Sequence, residues 1–259
     1  MKVIHSVVCL SLCLLLCSCA MQPHEAAKLY AVYAEEGEID FDSAIWKAAP
    51  VHMLTPRNFS AFTREFHIRS GMTERVLESG SVRLLWNEKA LYVRCDAEDS
   101  DLADESEADQ TALFAVADTI EVFLHQRSDF GYYEIFGSVG GRKTSYYFPG
   151  RGRLSMPGNN HCRLPELQVN SRPCGTLNRW QDRDSGFSIL IRIPAETLGA
   201  KWGDENAWSI LVARWNYSRY LPACEISVTG NFPSSNPHVY EEYAELVFCK
   251  PAEYERNLP

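Results

Sequence analysis

Two apolar runs of period two, joined by four residues, constrain this chain most. In "SVRLLWNEKALYVRCDAEDSDL" (81–102), Val82, Leu84 and Trp86 alternate, "NEKA" turns the chain, and Leu91, Val93, Cys95 and Ala97 alternate again. Side chains of a strand point to opposite faces in turn, so each run is a strand with one apolar face, and the short connection makes them a hairpin. Similar runs recur at 118–125, 131–138, 142–148, 186–193, 207–216 and 243–249. Between 149 and 180 lies a Pro-, Gly- and Asn-rich insertion with one strand-like piece, "ELQVN", while "PAETLG" (194–199) reads as a single turn opening on Pro. No long helix is expected. The pattern predicts an all-β chain: a two-sheet antiparallel β-sandwich, jelly-roll-like, with long loops and one domain.

The N-terminus is different in kind. "MKVIHSVVCLSLCLLLCSCA" carries Lys2 and then runs apolar from Val7 to Leu16, which is short for a membrane-spanning helix and fits a secretory signal. Its end, "LCSC", resembles a bacterial lipobox, in which lipid is attached to a Cys that follows a small residue. Cys19 follows Ser18, so residues 1–18 read as signal peptide, Cys19 as the lipidated residue and 19–36 as a tether, partly helical at "HEAAKLYAVYAEE". The expectation is an exported bacterial lipoprotein of the cell envelope, on the periplasmic side of the outer membrane or at the cell surface. The domain follows over 37–250, with a tail at 251–259. Five cysteines lie beyond the signal. None forms a C-x-x-C pair, which speaks against zinc. In an exported chain Cys162 and Cys174 could close a loop, and Cys95 sits at a core-facing position. The net charge of −9 and the lack of a Lys/Arg block exclude nucleic acid as an expected partner.

"DTIEVFLHQ" (118–126) puts carboxylates and a histidine into a strand. Asp118, Ile120, Val122 and Leu124 share one face. Thr119, Glu121, Phe123 and His125 share the other, so Glu121 stands beside an aromatic on the face away from the main core. Among the tryptophans, Trp86 reads as core and Trp46 as an edge plug. Trp208 and Trp215 lie on opposite faces of one strand, and Trp180 and Trp202 fall in turns as exposed rims.

Four segments and a closing loop, in order, resemble the family 9 carbohydrate-binding modules. They are "IDFDSAIWKAAP", the 81–102 hairpin, "DTIEVFLHQ", "GFSILIRIPAETLG" with "WSILVAR", and "FPSSNPHVYEEYAEL"; together they span roughly 37–249. The resemblance implies a β-sandwich that binds oligo- or polysaccharide without catalysis, in association with glycoside hydrolases and carbohydrate breakdown. It implies Glu121 as the sugar-binding carboxylate, Glu134 in "YYEIF" at a polar position and His238 in the last loop. The two Trp residues that sandwich sugar in the family are not evident; Phe114, Phe232 and Tyr240 are the aromatics nearest those places. The family also carries structural calcium. The acidic run offers Asp96, Asp99 and Asp101 as oxygen ligands but lacks the Gly and closing Glu of an EF-hand loop, so no metal is assigned. Two alternatives stay open: a glycoside hydrolase-type enzyme using Glu121 and Glu134, and a haem-binding relative of the same sandwich using His125, His161 or His238.

Overall fold

The computed structural model describes residues 26–35, 37–56, 76–150, 164, 166–199, 201–203, 207–221, 224–230, 232 and 236–256. Thirteen strands are β1 (Lys28–Tyr33), β2 (His52–Met53), β3 (Thr55–Pro56), β4 (Gly80–Trp86), β5 (Ala90–Ala97), β6 (Thr119–Gln126), β7 (Tyr132–Ser138), β8 (Lys143–Phe148), β9 (Gln168–Cys174), β10 (Gly186–Pro194), β11 (Trp208–Asn216), β12 (Glu225–Val228) and β13 (Ala244–Cys249). Among the described residues a short helix, α1 (Pro251–Arg256), follows. The chain is all-β, as the alternation requires.

The expected two-sheet antiparallel sandwich is met in its coarser part, an all-β sandwich-like fold, but the strands do not divide into two distinct sheets. The strands form one continuous sheet in the order β8-β7-β6-β11-β13-β1-β4-β5-β10-β9, with β12 and β3 beside β11 and β2 beside β4. This sheet curls until its two halves face each other. Ile120, Val122 and Leu124 of β6 and Ile210 and Val212 of β11 meet Leu84, Val93, Ile189 and Ile191 in one fully buried cluster. Burying each such side chain contributes roughly 1.5–3 kcal/mol. Gly137 of β7 shows how closely the halves approach. A Cβ there would lie 2.9 Å from Val169, 3.2 Å from Ile189 and 3.2 Å from Ile191, across the core. The β4–β5 hairpin forms as expected, and Cys95 lies wholly inside, its thiol pushed up to about 12 by burial.

A second correction concerns the tether. Residues 28–33 are not helical; they are β1, hydrogen-bonded parallel to β13 on one side and to β4 on the other. Leu29 and Ala31 enter the main core, while Val32 joins an outer cluster with Trp46, Leu85, Tyr92 and Leu190. The fold therefore begins before residue 37. Trp46 is buried, as an edge plug should be, and its indole donates to the Asp40 carbonyl at 2.6 Å. Trp202 is buried against Trp208 at 4.9 Å rather than exposed; Trp180 is exposed.

The acidic residues have a structural use. Long loops leave backbone N–H groups that must be paired when buried. Asp118 accepts from Ala103 and Tyr217, both at 2.6 Å, and Asp184 from Leu102 and Thr176, both at 2.8 Å. The three aspartates considered for calcium are held by arginines: Asp96 by Arg94 at 2.9 Å and Arg83 at 3.3 Å, Asp99 by Arg214 at 3.1 Å, and Asp101 by Arg219 at 2.5 Å. With cations already on each carboxylate, these residues do not fit a calcium site, and the acidic stretch is a paired loop rather than a solvated turn. Cys174 is exposed at the end of β9; Cys162, its expected partner, lies outside the described residues, as do Cys19 and His161.

Candidate functional site

The face of β6 opposite the main core carries the site. Its neighbours in register are β7 on one side and β11 on the other. Alternation sends Glu121, Phe123 and His125 of β6, Tyr132, Glu134 and Phe136 of β7, Tyr146 and Phe148 of β8, and Leu211, Ala213 and Trp215 of β11 to this outer face. Phe123, Tyr132, Phe148, Leu211, Ala213, Val228, Phe232 and Tyr243 pack into a third apolar cluster there. An aromatic layer lies over the strands at one end: Phe114 rests 5.9 Å from the rings of both Phe136 and Trp215, and Tyr146 meets Phe136 edge-on at 5.9 Å.

Glu121 lies inside this layer, nearly buried, with Oε2 accepting the Trp215 indole N–H at 2.8 Å. Glu121 pairs with Phe136 and Phe123 with Glu134, so the two glutamates are diagonal neighbours on one face. Glu134 faces a different set of partners. His238 Nδ1 stands 2.9 Å from its Oε1 and 2.7 Å from the Tyr132 hydroxyl. Burial pushes the Glu134 carboxyl up to about 8, with the Tyr132 hydroxyl acting in the opposite direction. Burial, with the nearby Glu134 and Glu121 charges, raises Tyr146 as well.

These shifts have a stability consequence. The ordinary value for Glu134 is 4.5 and its folded value is higher, so between those limits the folded form holds more protons than the unfolded one. The stabilisation is full below about 4.5 and is lost as pH rises through about 8. Asp118, raised from 3.8 to about 8 by burial and by Asp99, acts in the same sense. The melting temperature is expected to fall between pH 5 and pH 8, and Glu134→Gln, which is permanently neutral, to flatten that slope. Parallel melting curves against pH for the two proteins check it; identical slopes would remove Glu134 from the explanation.

The structure thus gathers Glu121, Glu134, Phe114 and His238 on one face. Tyr240 joins them by stacking on His125, with centroids 4.1 Å apart and planes 23° from parallel. Phe232 is corrected: it is buried against Tyr243 at 5.9 Å and supports the face instead of presenting a ring to it. Of the Trp208 and Trp215 pair, Trp208 is core and Trp215 belongs to the site. Sequence reasoning passed over Tyr132 and Tyr146, although alternation in "YYEIF" and "SYYF" puts both on the face of Glu134. His125 and His238 are taken up by tyrosines and by the Gly131 carbonyl or Glu134, and no group of metal ligands forms among the described residues. Such an arrangement surrounds nearly buried carboxylates with flat aromatic surface and an imidazole, a combination that suits a ligand with both C–H faces and hydroxyls.

The family model described as "Carbohydrate family 9 binding domain-like" matches residues 63–209, more than half of the chain. A "putative carbohydrate-binding protein" of Bacteroides uniformis ATCC 8492 is similar in structure, with a TM-score of 0.62 at 10% identity, over 86% of this chain and 100% of that one. A family 9 carbohydrate-binding module from Caldicellulosiruptor kristjanssonii is similar in its complex with cellotriose (TM-score 0.54, 15% identity, 86% and 94% covered) and in its complex with glucose (0.53, 15%, 86% and 96%). Identities this low establish a shared fold. Curated protein sequences give no match.

Proposed function

The chain belongs to the carbohydrate family 9 binding domain-like family, and on that footing we propose that it binds an oligo- or polysaccharide on the outer face of β6, β7, β8 and β11. The observation that carries this reading is Glu121 held by the Trp215 indole within the Phe114–Phe136–Tyr146 aromatic layer. A carboxylate accepts hydroxyl hydrogen bonds, and aromatic faces take the C–H surface of a sugar ring. The cellotriose and glucose complexes of the C. kristjanssonii module support the same ligand class.

The role is capture without turnover, in support of glycoside hydrolases. The hydrolase alternative has one feature in its favour: burial pushes the Glu134 carboxyl up to about 8 on the same face as Glu121, as a general acid needs. Against it, the Glu134 carboxyl is already engaged by His238, whose Nδ1 stands 2.9 Å from its Oε1. Glycan-array binding of residues 20–259, followed by product analysis of every bound oligosaccharide, tests both. Retention of intact sugar is expected. Turnover abolished by Glu121→Gln would sink the capture reading.

The N-terminus adds export and anchoring. Cys19 follows a small residue at the end of the apolar run, so it is the residue expected to carry lipid and to hold the protein in the cell envelope. Cys19→Ala should move the protein from the membrane fraction to the soluble one. A mutant that stays in the membrane fraction uncleaved would instead mark the apolar run itself as the anchor.

A further inference from the structure

The other half of the fold carries a groove that the carbohydrate reading above leaves unused. It encloses about 1230 Å³ over the outward face of β9, β10 and β5, beside residues 37–41. Strand register builds its floor. Gln168, Arg192 and Tyr92 stand side by side across the three strands, and Asn170 and Leu190 lie in the next row. With neighbouring strands ~4.8 Å apart, a row spans roughly 10 Å.

Two polar groups of the floor are almost wholly buried yet not fully used. Tyr92 is 4% exposed, and its hydroxyl has no hydrogen-bond partner among the described residues. Asn87 is 2% exposed; its Oδ1 accepts from the Lys89 and Ala90 backbone at 3.0 Å each, which leaves its amide nitrogen for the groove. Half-buried Arg192 has no carboxylate partner among the described residues, although Arg94 and Arg172 on the same face are matched by Asp96 and Asp42. The floor therefore presents donors: a phenol, an amide and a free guanidinium, with the exposed amides of Gln168 and Asn170 beside them. A planar guanidinium is best satisfied by a carboxylate, which it binds through two parallel hydrogen bonds. Glu38, Asp40 and Glu166, which also line the groove, oppose a second anionic group nearby.

We propose that this groove is a second glycan site, which takes an oligosaccharide bearing an isolated uronate, with the carboxylate on Arg192 and sugar hydroxyls on Tyr92, Asn87, Gln168 and Asn170. The ligand class rests on the carbohydrate reading; the position does not. The test is calorimetric titration with an aldotetraouronic acid, a xylotriose carrying one methylglucuronate, and with xylotriose as the neutral control. The acidic sugar is expected to bind at least ten-fold tighter than xylotriose. Arg192→Gln should remove that advantage, and Tyr92→Phe should weaken binding several-fold. Melting curves confirm that each variant is folded. No binding of the acidic sugar, or indifference to Arg192→Gln, overturns the second site. Neutral glycans bound through Glu121 in the array would leave the first reading standing in each of those cases, so the two failures are told apart.

Discussion

Replacing Glu121 by Gln is expected to weaken binding of any glycan that the array identifies by more than ten-fold while the melting temperature stays close to that of the parent protein. The amide keeps an oxygen that can accept the Trp215 indole N–H, now 2.8 Å from Oε2, so the aromatic layer should hold. What disappears is the charge. A hydrogen bond to a charged group contributes roughly 1.5–3 kcal/mol, and 1.4 kcal/mol is about a factor of ten in affinity. Glu121→Ala goes further: it removes the acceptor as well, leaves the half-buried Trp215 indole donor without Glu121 and should also lower stability, by about 1 kcal/mol. If Glu121 serves only to orient Trp215, the outcome reverses: Gln is silent in both measurements and Ala loses stability alone. Titration and melting of both variants separate the cases, and unchanged affinity in the Gln variant would refute the assignment.

The largest effect on stability is expected at Arg214. Its side chain is 1% exposed and donates to the carbonyls of Glu78 at 2.8 Å and Glu98 at 2.6 Å and to Asp99 at 3.1 Å, with Glu78 Oε2 at 3.9 Å. It thereby ties β11 to the acidic loop after β5 and to the entrance of β4. Removing one partner of a buried pair typically costs about 3–5 kcal/mol, because the other charge stays buried without compensation. Asp99, already raised to about 6 by burial against the opposing pull of Arg214, would be that charge. Arg214→Met should therefore lower the melting temperature by about 10 °C or more, and Arg214→Met/Asp99→Leu should recover part of the loss. A single-variant cost below about 1 kcal/mol by denaturant unfolding would show that the loop is held by its backbone caps alone.

What the sequence revealed, and what it hid, follows from the range of each interaction. Period-two alternation is local, so the β4–β5 hairpin, the two faces of β6 and the position of Cys95 were legible. So was Glu121 beside Phe123 on the face away from Ile120 and Val122. β1 was not. "KLYAVY" sits among Ala and Glu residues that favour helix, and it becomes a strand because β13 and β4 flank it, more than fifty residues away in each case. Tertiary pairing of this kind overrides propensity. For the same reason one continuous sheet could not be told from two: the parallel joins through β1 leave no mark in a local window. At the site, the meeting of His238 with Tyr132 spans 106 residues, and the matching of Asp96, Asp99 and Asp101 by arginines depends on strands that a run of acidic letters does not show.

β1 also gives the anchored reading a mechanical side. Cys19 and Lys28 are separated by nine positions, a leash that extends at most about 30 Å. A lipid on Cys19 would deliver any pull from the membrane to the first residue of a strand in mid-sheet, with Lys28–Val32 bonded to β13 and Ala31–Tyr33 to β4. A tug along the strand loads those bonds together instead of opening them one after another. The two proposed glycan faces lie on the halves that this strand joins. How long a cell keeps its grip on a dragged polymer would then depend on the rate at which β1 is torn out, a kinetic quantity, more than on the equilibrium stability of the domain.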